Sequence, residues 1–164
     1  MQVDKLVLVA TPAKPMSETL IRQYRERAPH FADDVEVALE SIKNGEALTY
    51  PNKHIEMMFR PSAIPYLASC FFIDPTRIAK SLNQTVHVIQ GDNDIQVGAE
   101  NGEIFREALG ERARVTRCEG MNHVLVKTPR ELEENMASYN NPLLPLHHQL
   151  ERAILTDFKI NKII

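Results

Sequence analysis

The stretch KLVLVA (Lys5 to Ala10) constrains the fold of this chain more than any other. It is apolar at successive positions, without the alternation of a strand that keeps one wet face. Such a strand is buried on both faces, as in the middle of a parallel sheet covered by helices. TVHVIQ (Thr85 to Gln90) reads as a second buried strand, and ARVTRCE (Ala113 to Glu119) as a third. Helical patterns fill the intervals. PMSETLIRQYRERA has Ser17 as a cap and Leu20, Ile21 and Tyr24 at helical spacing. FADDVEVALESIKNG carries Val35, Val37, Ala38, Leu39 and Ile42 and stops at Gly45. PSAIPYLASCFF is broken by Pro65, and DPTRIAKSL opens on Asp74 and Pro75. GAENGEIFREALG, PRELEENMASY and a last helix from about Leu146 to Phe158 follow, the last with Leu150, Ile154 and Phe158 as one buried stripe. Strand, helices, strand, helix, strand, helices is an α/β order with a parallel sheet.

The chain has 164 residues, enough for one domain with a real core and short for two. A net charge of −3 supplies no basic stripe for nucleic acid or an anionic membrane. Two cysteines, Cys70 and Cys118, make neither a disulfide framework nor a zinc site, so a reduced cytoplasmic setting is expected. No apolar run is long enough to span a bilayer, and MQVDKLVLVA is too short and too acidic for a signal peptide.

Working residues in open α/β sheets gather at the carboxyl ends of the strands. Asp92 and Asp94 follow the second strand, and His123 follows the third. A carboxylate beside an imidazole can fix its tautomer and stabilise its charged form, leaving the other ring nitrogen to take a proton from a nucleophile. Short acids at a strand end also serve as turn formers, and His123 reads equally as a loop histidine. Other candidates are weaker. Cys70 sits in an apolar helical run where cysteine usually packs, and Cys118 lies too close in sequence to His123. His147 and His148 are adjacent and suit a surface or capping role, while His30, His54 and His87 lack companions at ligand spacing.

VHVIQGDNDIQV followed by RCEGMNHVLV resembles the last third of the α/β-hydrolase fold, the serine esterase and lipase superfamily. There a strand ends in G-x-x-D-x-x-V with the triad acid at the fourth position, and the next strand ends in a turn bearing the histidine. The resemblance assigns Asp94, not Asp92, as the acid and His123 as the general base, in the family's chain order. It extends from about Val3 to Phe158 and includes DKLVLVATPAKP, DPTRIAKSL and YNNPLLPLHHQLERAILTDF.

The family's G-x-S-x-G nucleophile elbow is missing, and with it the oxyanion hole. Ser17, Ser41, Ser62, Ser69, Ser81 and Ser138 all lack the flanking glycines. By resemblance, then, the chain is the C-terminal half of a hydrolase acting on a carboxylic ester, thioester or amide, with no cofactor implied. The expected fold is a single partial α/β-hydrolase domain over 1–164: a three-stranded parallel sheet flanked by helices, with a lid-like helical insertion over about 12–83. In that segment Met57, Met58, Phe59, Tyr66, Phe71 and Phe72 are candidates to contact an apolar group of a small-molecule substrate, or else to pack lid helices. The first strand would bare an apolar edge, so the chain is expected to pair with itself through Leu6 to Ala10 or to take an upstream half there. The competing reading is a non-catalytic α/β module that binds a partner or a small apolar ligand. A phosphate-binding domain is disfavoured, because neither ATPAKP nor QGDNDIQVG is a glycine-rich phosphate loop.

Overall fold

A computed structural model describes residues 3–158; the ends of the single domain expected over 1–164 lie outside them. The chain forms two compact units: Lys14–Pro75, and the segments up to Ala13 and from Thr76 onward.

The second of these is the sheet unit. Strands β1 (Lys5–Val9), β2 (Thr85–Gly91) and β3 (Ala113–Cys118) form a parallel sheet in the order β1-β2-β3. Val7 pairs with His87 and His87 with Arg114, so alternate residues from all three strands share a face. On one face Leu6, Leu8, Val86, Val88, Ala113 and Val115 pack with Phe105 and Leu109 of helix α6 (Glu100–Leu109) and with Ala79 of helix α5 (Pro75–Ser81). On the other, Val7, Val9, Ile89 and Cys118 pack with Leu150, Ala153 and Ile154 of helix α8 (His148–Phe158). Both faces of the central strand are therefore covered, and β2 is buried from Val86 to Gly91. The short helix α7 (Leu132–Ser138) precedes α8.

The two edges differ. β3 exposes Arg114 and Arg117 at its edge, charges of the kind that discourage further strand pairing. β1 carries half-buried Leu6, Val7, Leu8 and Val9, and among the described residues no strand pairs with its outer side.

The helical unit contains α1 (Met16–Arg27), α2 (Ala32–Asn44), α3 (Lys53–Met58) and α4 (Ile64–Cys70). Its core gathers Val35, Ala38, Leu39, Ile42, Ile55, Phe59 and Leu67. Several sequence expectations change here. Val37 is 63% exposed, because the α2 stripe runs 35, 38, 39, 42 and position 37 points away from it. Ser17 is no cap: Pro15 holds that position and Ser17 is buried within the first turn of α1. Pro65 opens α4 rather than breaking it, since the first turn has no partner for the missing N–H. Gly45 does end α2 in the left-handed conformation. The helical unit spans 14–75, and α5, which also lies between β1 and β2, packs on the sheet.

Asn52 joins two parts of this unit. Its Oδ1 accepts from the Ile55 amide at 3.0 Å, capping α3, and its Nδ2 donates to Asp34 of α2 at 2.7 Å. Asn52→Ala is expected to cost about 1–2 kcal/mol, the upper range of a lost cap, read as a lower urea midpoint at unchanged slope.

Candidate active site

β2 delivers Asp94 through a turn that its own side chain closes. Asp94 Oδ1 accepts from the amides of Gln96 and Val97, both at 2.8 Å, an Asx turn. Oδ2 accepts from Gln90 Nε2 at 3.2 Å and faces His123 Nδ1 at 3.0 Å. The carboxylate has no exposed surface, yet every partner is a donor, as an acceptor-only group requires when buried.

His123 stands at the tip of a tight hairpin after β3. Leu125 N donates to Asn122 O at 3.1 Å, and Asn122 N to Val126 O at 3.0 Å. Thr128 N closes the base on Gly120 O at 2.9 Å. Leu125 is left-handed at φ 67°, a conformation that costs a non-glycine residue about 1–2 kcal/mol. It is held by these bonds and by His147 N, which donates to Leu125 O at 2.8 Å. The fully buried Asn122 braces the turn from within, its Oδ1 accepting from Val126 N at 3.3 Å.

The imidazole is 29% exposed, and its Nε2 has no hydrogen-bond partner among the described residues. The buried carboxylate accepts, so in the neutral ring the proton lies on Nδ1 and the lone pair on Nε2. The arrangement is a histidine of fixed tautomer with one nitrogen available for a proton.

The two acids have different partners. Asp92 turns away from His123, its Oδ1 accepting from Gly120 N at 2.6 Å to lock the β2 turn to the β3 turn. Asp94 meets the histidine. Gly91 makes the approach possible, since a Cβ there would lie 2.0 Å from Met121 O, two residues before His123.

A second acid–histidine pair was not foreseen. His87 Nδ1 bonds Asp157 Oδ2, and His87 Nε2 lies 2.8 Å from Thr116 Oγ1. Both ring nitrogens are engaged and the side chain is only 2% exposed, so this histidine can offer nothing to a ligand. His147 is buried, not a surface residue; its Nε2 lies 3.0 Å from Glu119 O, and Nδ1 accepts from Gln149 N at 3.3 Å, a cap on α8. Burial, with the nearby Asp92 charge adding to it, pushes the Cys118 thiol up, which suits a packed sulfur. Among the described residues no group of three or more His, Cys, Asp or Glu could hold a metal, and no helix is long and apolar enough to cross a membrane.

The apolar candidates all lie in the helical unit, and they divide. Phe59 is wholly buried in that unit's core, so of the two roles expected for it, it takes the packing one and has no surface to offer a substrate. Met58, Phe71 and Phe72 are half-buried against the same core, while Met57 and Tyr66 are largely exposed. Phe72 also lines a cavity of about 260 Å³ with Ile21 and Leu39, whose rim is charged by Glu18, Glu36, Glu40 and Lys43.

Residues overlooked in the sequence are Gln90, which holds the acid, and Asn122, which holds the histidine turn. For Gln90 the available signal was a polar residue at the end of a buried strand, four positions before Asp94. No protein-family model matches the chain, and no curated protein matches its sequence.

Proposed function

We propose that this chain is the C-terminal part of an α/β-hydrolase-fold serine hydrolase acting on a carboxylic ester, thioester or amide. Asp94 orients and electrostatically supports His123, and His123 Nε2 takes the proton from an attacking hydroxyl and returns it to the leaving group. The observation that carries this reading is the 3.0 Å Asp94–His123 bond, with a buried acid, a part-exposed ring and an unoccupied Nε2. Three hydroxyls are turned to their own helices: Ser69 to Tyr66 O, Ser81 to Ile78 O and Ser138 to Asn135 O. No serine of the chain stands in a G-x-S-x-G elbow, so in this reading the hydroxyl and the oxyanion amides come from an upstream half, which adds its strand beside the apolar edge of β1. The helical unit, lying in the chain between β1 and β2, corresponds to the family's lid segment.

An alkyl fluorophosphonate and intact-mass measurement test this. The chain alone is expected to give no adduct. An upstream segment bearing G-x-S-x-G, encoded ahead of this chain and co-purified with it, is expected to label at its serine. His123→Ala should slow that labelling by at least about a thousandfold, as loss of a triad base does. A stoichiometric serine adduct on the chain alone, or labelling indifferent to His123, overturns the reading. One observation favours a non-catalytic binding module instead, namely that no hydroxyl stands at His123 Nε2 among the described residues; failure to label in any combination would support it.

A further inference from the structure

We infer that Asn135 of α7 is a positioning residue that sets the meeting of Asp94 and His123, an inference that rests on the functional reading above. It hydrogen-bonds to neither side chain. Its Oδ1 accepts from Nδ2 of Asn122, the residue before the histidine, at 3.2 Å. Its Nδ2 donates to the carbonyl of Asn93, the residue before the acid, at 2.8 Å, and more weakly to Pro129 O at 3.4 Å. One amide thus spans the two turns that carry the pair.

The polarity of this bridge is fixed from both ends by backbone groups. Val126 N–H can only donate, so Asn122 must present Oδ1 to it and Nδ2 to Asn135. The carbonyls of Asn93 and Pro129 can only accept, so Asn135 must present Nδ2 to them. A flipped amide at 135 would set donor against donor and acceptor against acceptor. Asn122 and Asn135 are both wholly buried, so a broken bridge leaves polar groups with no water to turn to. Asn122 gives its remaining proton to Ser138 Oγ, also on α7, at 2.7 Å.

Other bonds already join the two turns: Asn93 N to Met121 O at 3.1 Å, and Asn93 Nδ2 to Thr128 O at 2.7 Å. These clamp the acid turn to the two sides of the histidine hairpin. Asn135 differs in gripping the side chain of the residue adjoining His123, and so governs how the hairpin tip is presented to Asp94.

The experiment reads the tautomer of His123 in the full chain by long-range proton–nitrogen NMR, with circular dichroism and thermal melting in parallel. In the neutral ring, wild type is expected to carry its proton on Nδ1. Asn135→Leu is expected to move the ratio about fivefold to tenfold toward the Nε2–H form that histidine favours in water, the equivalent of about one net hydrogen bond. Asn135→Asp keeps an acceptor for Asn122 but loses the donor to Asn93; it should shift the ratio in the same direction and replaces the leucine variant if that one does not fold. Ser81→Ala, on α5 and outside this network, should leave the ratio unchanged. A folded Asn135 variant with the wild-type ratio, merely melting lower, shows a packing role and overturns the inference. A wild-type chain without Nδ1–H removes instead the acid–base reading beneath it.

Discussion

Adding one methyl group at Gly91 is expected to destabilise the sheet unit by at least about 3 kcal/mol, the upper end of overpacking costs. The reason is contact, not backbone freedom. A Cβ at 91 would stand 2.0 Å from Met121 O, 2.7 Å from Met121 C and 3.0 Å from Met121 Cβ. The first two are backbone atoms, so no rotamer change relieves the overlap. That carbonyl also accepts the Asn93 amide, and Met121 is wholly buried beneath it. The histidine hairpin must therefore move outward by an ångström or so, and the bond between His123 and Asp94 stretches with it. Gly45→Ala makes the useful comparison. Gly45 needs its glycine for a φ of 71°, but a Cβ there would meet nothing within 4 Å, so only the left-handed penalty of about 1–2 kcal/mol applies. Urea unfolding of both variants gives the two costs, and the His123 tautomer in Gly91→Ala reports the separation. A Gly91→Ala chain with wild-type stability and an intact Nδ1–H signal would refute the account.

What could be read from the sequence was what depends on neighbouring residues or on strand ends. A run such as KLVLVA is legible because burial on both faces leaves no polar position. Parallel connection then places every strand's carboxyl end on one rim, and so brings Asp94 and His123 within reach from positions 29 residues apart. Helix stripes were legible in outline but slipped where one position decides. On α8 the buried stripe runs Leu150, Ala153, Ile154, Asp157, so Phe158, taken as its continuation, is 62% exposed. The eighth step along a helix falls about 80° off the stripe, while the seventh falls about 20° off it. A charged residue in that seventh place hides the pattern from any reading based on hydrophobicity. The asparagines were illegible for another reason. Nothing local marks Asn93, Asn122 and Asn135 as partners, and only the fold reveals that they share one hydrogen-bond network.

Asp157→Ala is expected to cost about 3–5 kcal/mol at neutral pH, the range for breaking one side of a buried ion pair. Asp157 sits at the last turn of α8 with its side chain only 1% exposed, and it accepts from His87 on β2 and from Lys5 on β1 at 2.9 Å. The two donors are not equal. Lys5 is 42% exposed, so its share resembles that of a surface pair, about 0–1 kcal/mol. His87 is buried, and truncating Asp157 leaves its Nδ1 facing an empty space beneath the helix. Burial by itself would raise the Asp157 carboxyl, but the hydrogen bonds and charges of His87 and Lys5 outweigh it and hold the group below its ordinary value of 3.8. The unfolded chain therefore binds this proton more readily than the folded one. The contribution of Asp157 is full above the ordinary carboxylate range and fades as pH falls through the lowered folded value. The stability gap between wild type and Asp157→Ala should accordingly be widest near pH 7 and narrow steadily below about pH 4. Because α8 also covers Cys118, the thiol offers a second reading of the same event: its reaction with a disulfide reagent should be faster in the variant at neutral pH. A gap that stays constant as the pH falls, or a Cys118 no more reactive in the variant, would mean that α8 is held by its apolar stripe alone.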